Sequence, residues 1–424
     1  MKSKITKRRC ASGLLCSARN DVHPNPTLPK GKGVFPAFGK IMGGIALSPF
    51  TLYLLPFALF LTACNTSTKE AELATADSVL SVKYAAGFSA AYFGDYKEVK
   101  VFSPWRKENV LAVYYLVDDS AVQTPKDGIR LQIPLQSIGI TSCTQIEFLS
   151  LMNALSAVKG VCSPELIYNQ TLQQSYQKGE LVYLGDGFRF NVENLLLLNP
   201  DALMLTTYSE QEDENMRRLK TSGIRLIYNN EWNESSLLAR TEWIKFVACF
   251  FNKEALADSL FNEVEKNYLY LKELAQTVKN KPSIVAGGSF KGTWYMPPGN
   301  TYMGKLYEDA GGTYHYAKYT FSGSLPLSFE TVLLHQRHAD VWLNAQANSF
   351  AELLAQDSRY GLFDAVKNGR VYNFNAKTTA KGANDFWESG LAHPDKILSD
   401  IIWTLHPELL PNYQPVYIRR LGER

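Results

Sequence analysis

The chain has 424 residues, of which 46% are hydrophobic, 12% aromatic and 20% charged, and its formal net charge is +3. This composition is typical of a globular protein, and about 360 residues remain after position 63, enough for two domains of ordinary size. Much of the Lys and Arg lies before that position, so the remainder is nearly neutral and has no basic stripe for nucleic acid. The six cysteines contain no CxxC pair, which argues against a disulfide framework or a zinc site.

An apolar run, residues 45–61, ends at Leu61-Thr62-Ala63-Cys64 and is followed by small polar residues. The run is long enough to enter a bilayer, although Pro49 and Pro56 interrupt it. The segment resembles a bacterial lipoprotein signal. That resemblance implies cleavage before Cys64, lipidation of this cysteine, and a mature protein anchored on the periplasmic side of a membrane. An ordinary N-terminal membrane anchor with an incidental cysteine is the alternative.

We therefore assign residues 1–63 to a signal region and residues 64–80 to a lipid-anchored tether. Residues 81–136 contain short alternating runs at 97–102 and 110–117, separated by turn residues. Such runs predict an antiparallel β extension before the main fold.

Short strand-like and helical segments alternate from 137 to 234. The predicted strands are 138–141, 160–162, 181–184, 202–206 and 224–228, and the predicted helices are 144–158, 191–198 and 211–221. This alternation predicts βαβ units and a parallel sheet, which together form an N-terminal α/β lobe.

Residues 235–279 are helical in pattern, and their second half carries an apolar residue every three or four positions. The members of this stripe are Leu256, Leu260, Val264, Tyr268, Leu271 and Leu274. A helix over 255–277 spans roughly 33 Å, which is enough to connect two lobes.

The α/β alternation resumes over residues 280–410 and predicts a C-terminal lobe, followed by a tail at 411–424. The predicted strands are 283–286, 341–344 and 371–374, and the predicted helices are 302–310, 328–336, 350–356, 363–367 and 394–405. The predicted fold class is therefore α/β, with two Rossmann-like lobes joined by one long interdomain helix and an N-terminal antiparallel β extension.

The two α/β halves also repeat one another. Residues 190–205 and 327–343 each contain a short helix that opens with a glutamate, Glu193 or Glu330, followed by an aspartate that enters an apolar strand. A repeated supersecondary unit indicates two lobes built alike.

The repeat, the two glutamate turns and the cysteine anchor together resemble the periplasmic binding proteins of iron-chelate and vitamin B12 ABC importers. The resemblance covers roughly residues 137–410. It implies a binding protein without enzymatic activity or a cofactor of its own, which delivers an iron chelate (a siderophore or haem) or a corrinoid to an ABC transporter permease. It also implies that Glu193 and Glu330 dock on arginines of that permease.

Ligands of open α/β sheets bind beyond the carboxyl ends of the strands. That rule selects these candidate ligand-binding residues: Thr144, Phe188, Arg189, Tyr208, Phe290, Lys291, Trp294, Tyr295, Phe374, Phe386 and Trp387. Aromatic walls suit a large flat ligand, and Arg189 and Lys291 suit its negative charge. Gly- and Pro-rich neighbours place Trp294 and Trp387 in loops. Core packing is the alternative for each aromatic residue.

Other chemistries receive less support from the sequence. Residues 299–305 fit GxxxxGK, but Leu306 stands where a phosphate-binding loop needs Ser or Thr. The sequence contains no G-x-S-x-G nucleophile elbow and no evident His/Asp/Glu set for a bare metal ion. A surface-exposed hydrolase on an α/β scaffold is the second hypothesis, and it requires a catalytic triad or metal set that the sequence does not supply.

Overall fold

The structure is a computed structural model, which describes residues 75–422 except 107, 188, 213 and 322. The signal region, and with it Cys64, lies outside the described residues. The first described residues form a five-stranded sheet whose strands neighbour each other in chain order. These strands are β1 (Ser78–Val79), β2 (Phe88–Phe93), β3 (Tyr96–Phe102), β4 (Val110–Val117) and β5 (Ile129–Gln132).

Strands β1 to β4 are antiparallel neighbours, as the sequence predicts. The prediction is wrong for β5, which runs parallel to β4 because residues 118–128 cross over instead of turning back as a hairpin. The predicted start of the β extension at residue 81 is also wrong, since β1 lies within the segment assigned to the tether.

The N-terminal lobe contains a parallel sheet with strand order β12-β11-β6-β7-β8. Its elements are β6 (Ile138–Ile140), α1 (Ile146–Leu151), β7 (Val158–Val161), α2 (Gln170–Gln177), β8 (Val182–Tyr183), β9 (Gly185–Asp186), β10 (Arg189–Phe190), α3 (Val192–Leu198), β11 (Ala202–Leu205), α4 (Glu214–Thr221) and β12 (Leu226–Tyr228). Strands β9 and β10 form a separate antiparallel pair. The sequence did not predict α2, because only Leu172 of this polar helix is buried.

Three helices follow: α5 (Leu237–Thr241), α6 (Trp243–Cys249) and α7 (Glu254–Gln276). Every residue of α5 and α6 is buried. The 23-residue α7 is the predicted long helix, and it packs against two different cores. Ala257 and Phe261 belong to the core of the N-terminal lobe, whereas Tyr268, Leu271 and Ala275 belong to the core of the C-terminal lobe.

The buried face of α7 differs in part from the predicted stripe. Leu256 is exposed, and the buried line passes through Ala257, Phe261 and Glu265 before it reaches Tyr268. Glu265 is buried because it accepts hydrogen bonds from Lys83 Nζ and Tyr84 Oη of the N-terminal extension. Because Glu265 is charged, apolar periodicity alone does not reveal this buried line.

The C-terminal lobe contains a second sheet, with strand order β16-β13-β18-β19-β20. Its elements are β13 (Ser283–Ala286), β14 (Ser289–Phe290), β15 (Thr293–Met296), α8 (Tyr302–Asp309), β16 (Thr313–Tyr314), β17 (Leu325–Leu327), α9 (Phe329–Gln336), β18 (Val341–Leu343), α10 (Phe350–Gln356), α11 (Asp364–Lys367), β19 (Val371–Asn373), α12 (Pro394–Leu405) and β20 (Arg419–Arg420). Strand β20 lies within the predicted tail and pairs antiparallel with β19. Strands β14, β15 and β17 form an antiparallel sheet that the sequence analysis treated as loop.

The two lobes share one order of four parallel strands on separate sheets. In each lobe the first strand, β6 or β13, lies between the strand that follows it in the same sheet, β7 or β16, and a later one, β11 or β18, beyond which lies β12 or β19. The fifth strands differ, since β8 pairs parallel with β7 whereas β20 pairs antiparallel with β19. The side chains of Asn191 and Ser328 cap α3 and α9 in the same way, each accepting a backbone N–H three residues on. Gly223 and Gly369 follow α4 and α11 with positive φ, a conformation that glycine adopts readily. The predicted internal repeat is therefore confirmed.

Candidate functional site

The carboxyl end of β6 leads directly into a short polar turn that carries one candidate ligand residue. Thr144 is half-buried there, and its hydroxyl lies 2.9 Å from the hydroxyl of Ser142. The neighbouring Cys143 places its Sγ 3.9 Å from the backbone oxygen of Trp387, which comes from the other lobe. The structure thus brings Thr144 close to Trp387, and both were selected from sequence.

Trp387 lies where the two lobes meet. Its half-buried side chain packs against both hydrophobic cores, and its ring makes an edge contact with Phe386 at 4.7 Å. Among the selected aromatic residues, Trp387 has the position that a ligand held between two lobes requires.

The carboxyl ends of β11 and β12 carry a pair of aromatic side chains. Tyr208 is 42% exposed and lies beside Trp232, with 5.8 Å between ring centroids. The indole of Trp232 donates a hydrogen bond to the Thr207 carbonyl, which fixes the ring. The sequence analysis missed Trp232, although it follows a buried strand by only four residues.

Other selected residues lie on small antiparallel strands. Arg189, on β10, is exposed, and its backbone N–H donates to Asp186 of β9. Phe290 ends β14, and the Lys291 ammonium lies 5.1 Å from the centre of its ring, a cation–π distance. Tyr295, on β15, is 40% exposed. Phe188 lies outside the described residues.

The expectation that Trp294 occupies a loop is wrong. It lies on β15, is fully buried, and donates its indole N–H to the Ala286 carbonyl. Its ring stacks on Trp342 and meets Tyr360 edge-on in the core of the C-terminal lobe. The flanking glycines belong to a β-hairpin and not to an open loop, so the local sequence was misleading.

Phe374 and Phe386 are also core residues, with 3% and 5% of their surfaces exposed. Their rings stack on each other at 4.6 Å with an interplanar angle of 9°. Of the two, Phe386 contacts the Trp387 ring, so the stacked pair helps to fix the position of that side chain.

A buried polar cluster at the carboxyl end of β12 was also missed. Glu231 pairs with Arg240 at 3.2 Å, and the Arg240 guanidinium lies 4.5 Å from the centre of the Tyr302 ring, which belongs to the other lobe. Four atoms of the cluster have no hydrogen-bond partner among the described residues: Asn229 Oδ1, Asn230 Nδ2, Glu231 Oε2 and Arg240 Nε. Buried polar groups are nearly always paired, so this end of the strand offers unused donors and acceptors where ligands of α/β sheets bind.

A second carboxylate joins the lobes beside Trp387. Glu388 is 2% exposed, and its Oε2 accepts the backbone N–H of Tyr168 at 2.7 Å from the N-terminal lobe. Burial raises the pKa of Glu388 to about 8, and the charges of Asp385 and Glu147 add to this rise. Glu388 is therefore mostly neutral at pH 7.

Glu193 and Glu330 occupy equivalent exposed positions in the first turns of α3 and α9. Glu330 pairs with Arg359 at 2.9 Å, and Arg359 in turn lies over the Phe329 ring. A hydrogen bond from its own backbone N–H lowers the pKa of Glu330, and the charge of Arg359 lowers it further. The carboxylate is thus charged near neutral pH.

One pocket of about 210 Å³ lies away from the strand ends, between α7 and the beginning of α12. Leu260, Val264 and Asp395 contribute to its wall. Cys143, Cys162 and Cys249 are buried, and Cys143 and Cys162 form no disulfide with each other in this structure. No helix of residues 75–422, as far as they are described, has the length and apolarity to cross a membrane.

Two α/β lobes on separate sheets, joined by one helix that packs in both cores, define a two-lobed architecture. Residues 149–378, more than half of the chain, match the model of the periplasmic binding protein family. The chain belongs to this family, whose members are binding proteins of ABC transporters and not enzymes.

Two archaeal proteins are similar to this chain in sequence. An uncharacterized lipoprotein of Methanocaldococcus jannaschii is 27% identical over 288 residues, which cover 66% of this chain and 67% of the relative. A second uncharacterized protein of that organism is 23% identical over 316 residues, or 70% of this chain and 90% of the relative.

Solved structures show the same fold. A periplasmic haem-binding protein from Pseudomonas aeruginosa aligns with a TM-score of 0.50 and 17% identity, covering 68% of this chain and 99% of its own. The molybdate-binding protein MolA of Haemophilus influenzae aligns with a TM-score of 0.51 and 18% identity, covering 66% and 89% of the two chains. At this identity the likeness concerns the fold alone.

The pKa of Glu388 generates a test of the contact between the lobes. Because the folded pKa of about 8 lies above the unfolded value of 4.5, the contribution of Glu388 to stability is complete below pH 4.5 and is lost as the pH rises toward 8. We expect Glu388→Gln, which stays neutral, to gain stability relative to the wild type by up to about 1.4 kcal/mol per pH unit within this window. Urea unfolding at pH 5, 6, 7 and 8 measures the difference, and a pH-independent difference contradicts the assignment.

Proposed function

We propose that this protein is a lipid-anchored solute-binding protein that captures an iron chelate, either a siderophore or haem, or a corrinoid, and delivers it to an ABC importer permease. The observation that carries the proposal is the position of Trp387, which packs against both cores beside the carboxyl end of β6. A ligand held there contacts both lobes, and its binding favours the arrangement in which both contacts are made.

The proposed ligand class rests on aromatic and basic side chains of the two lobes. Trp387, Tyr208 and Trp232 are aromatic and at least partly exposed, and large flat ligands bury more surface against rings than small ions do. The exposed Arg189 and Lys291 carry the positive charge that suits the carboxylates of haem or an anionic ferric chelate. The Pseudomonas aeruginosa neighbour is named for haem, whereas the Haemophilus influenzae neighbour binds molybdate, so the fold accommodates both kinds of cargo.

A fluorescence titration tests the ligand class. We expect quenching of tryptophan emission by at least one of haem, cobalamin or a ferric siderophore, and a loss of about 1–3 kcal/mol of binding free energy in Trp387→Ala through lost aromatic burial. Trp403→Phe, which alters a half-buried tryptophan of α12, serves as the control and should bind as the wild type does. Failure of every chelate to bind, with binding of molybdate instead, contradicts the proposed cargo.

We propose that Glu193 and Glu330 dock the two lobes on basic residues of the permease. Both carboxylates are exposed, both stand in the first turn of equivalent helices, and such charge pairs fix register and speed association more than they add affinity. The ion pair with Arg359 orients Glu330 in the free protein.

The glutamates can be tested apart from the ligand. We expect Glu193→Ala with Glu330→Ala to abolish ligand uptake by cells while ligand affinity in solution stays unchanged, because neither side chain lies at the strand ends. Glu263→Ala with Glu273→Ala removes the same charge from exposed positions of α7 and should leave uptake unaffected. Normal uptake by the Glu193 and Glu330 double variant excludes the docking role.

We further propose that Cys64 carries the lipid anchor. The support is the lipoprotein-like segment that ends at this residue, together with a relative that is named a lipoprotein. Cys64→Ser is expected to move the protein from the membrane fraction to the periplasmic fraction, as measured by immunoblot after cell fractionation. Retention of the variant in membranes points instead to the apolar run as an uncleaved anchor.

A further inference from the structure

The two most exposed of the large hydrophobic side chains that lie within the described residues occupy matching places in the two lobes. Leu197 of α3 is 84% exposed and Leu334 of α9 is 76% exposed. Each leucine follows the glutamate of its helix by four residues. Exposed leucines are common one at a time, but the repetition of one at equivalent positions calls for a shared cause.

The equivalence extends along both helices. Val192 and Leu195 are buried in α3, as Phe329 and Val332 are in α9. Residues four apart on a helix lie on one face, about 6 Å apart along the axis. Each lobe therefore presents a carboxylate and a leucine one turn apart on the same outward surface.

We propose that Leu197 and Leu334 are apolar anchors of the permease interface, which extends the docking role proposed for the glutamates and rests on it. The partner that fits is a two-fold symmetric membrane protein. Each of its two halves presents a basic side chain and, about one helical turn from it, an apolar depression. Burial of the leucines holds the complex together, while the glutamates guide its approach.

The charge of the surface argues against a second copy of this chain as the occupant. Both leucine patches carry a glutamate. Arg359 pairs with Glu330 but also with Asp357, so carboxylates outnumber the guanidinium beside α9 and contact between two copies brings negative surfaces together. Like charges brought together at an interface oppose association. A basic partner removes this conflict.

Binding to the permease of the importer, reconstituted in lipid nanodiscs and measured by surface plasmon resonance, tests the proposal. We expect Leu197→Ala or Leu334→Ala to weaken binding about tenfold each, and the double variant about 100-fold, through a faster off-rate. The salt dependence of binding should stay that of the wild type, because no charge is removed. Leu256→Ala with Leu269→Ala, at two exposed leucines of α7, is the matched control and should bind normally.

The glutamate double variant separates this inference from the function on which it rests. That variant should associate more slowly and with a weaker dependence on salt, whereas the leucine variants should dissociate faster. If it is weakened while the leucine double variant binds as the wild type does, the leucine inference is wrong and the docking role stands. If the wild type does not bind the permease, the docking proposal fails and the inference fails with it.

Sedimentation velocity of the free protein tests whether a second copy of this chain covers the leucine surface instead. A wild type that dimerises, together with a monomeric Leu197→Ala, Leu334→Ala variant, assigns the surface to a second copy and overturns the proposal. A monomer in both cases, with unchanged melting temperatures, supports it, because the leucines then affect only contact with the permease.

Discussion

The packing of α7 against two separate cores is the constraint on which the remaining architecture depends. Phe261 is buried with the N-terminal lobe and Tyr268 with the C-terminal lobe, two turns further along the same helix. A continuous helix keeps these two points at a constant distance, because its backbone hydrogen bonds resist bending unless a proline or a bulge interrupts them. The lobes therefore have a fixed spacing.

The N-terminal extension is bound to the same helical region. Glu242, fully buried on the turn between α5 and α6, accepts backbone N–H groups from Lys83, Tyr84 and Ala85. Its charge is balanced by Lys245 at 3.2 Å. The Lys245 ammonium in turn donates to the Ser81 carbonyl at 2.9 Å, so both buried charges hold the extension against the connecting helices through hydrogen bonds. The five-stranded sheet is thus an integral part of the binding protein.

Duplication explains why one feature of the surface occurs twice. The capped helices α3 and α9 precede equivalent strands, so whatever one lobe presents at that edge the other presents as well. The carboxyl ends of the strands resemble each other less in the two lobes, because the loops that follow these strands differ in length. Surface features of the repeated scaffold therefore occur in both lobes, whereas the loops differ from one lobe to the other.

The sequence by itself determined the periodic elements and their repetition. The limits of β13, α10 and α12 were predicted to the residue, since a short apolar strand, a serine cap and a proline at the first helical position are local signals. The family resemblance also followed from local features, the two glutamate turns and the repeat around them, and the family match confirms it.

Only the tertiary structure decided which side chains face the space between the lobes. Trp294 and Trp387 have similar glycine-rich neighbours, yet one is sealed in a core by a hairpin and the other meets both lobes. Glu265 is buried because Lys83, far away in the chain, pairs with it, and Arg240 is covered by the ring of Tyr302 from the other lobe, which no local pattern reveals. Burial of a polar or aromatic side chain depends on contacts between residues far apart in sequence, whereas helix and strand formation depends mainly on near neighbours.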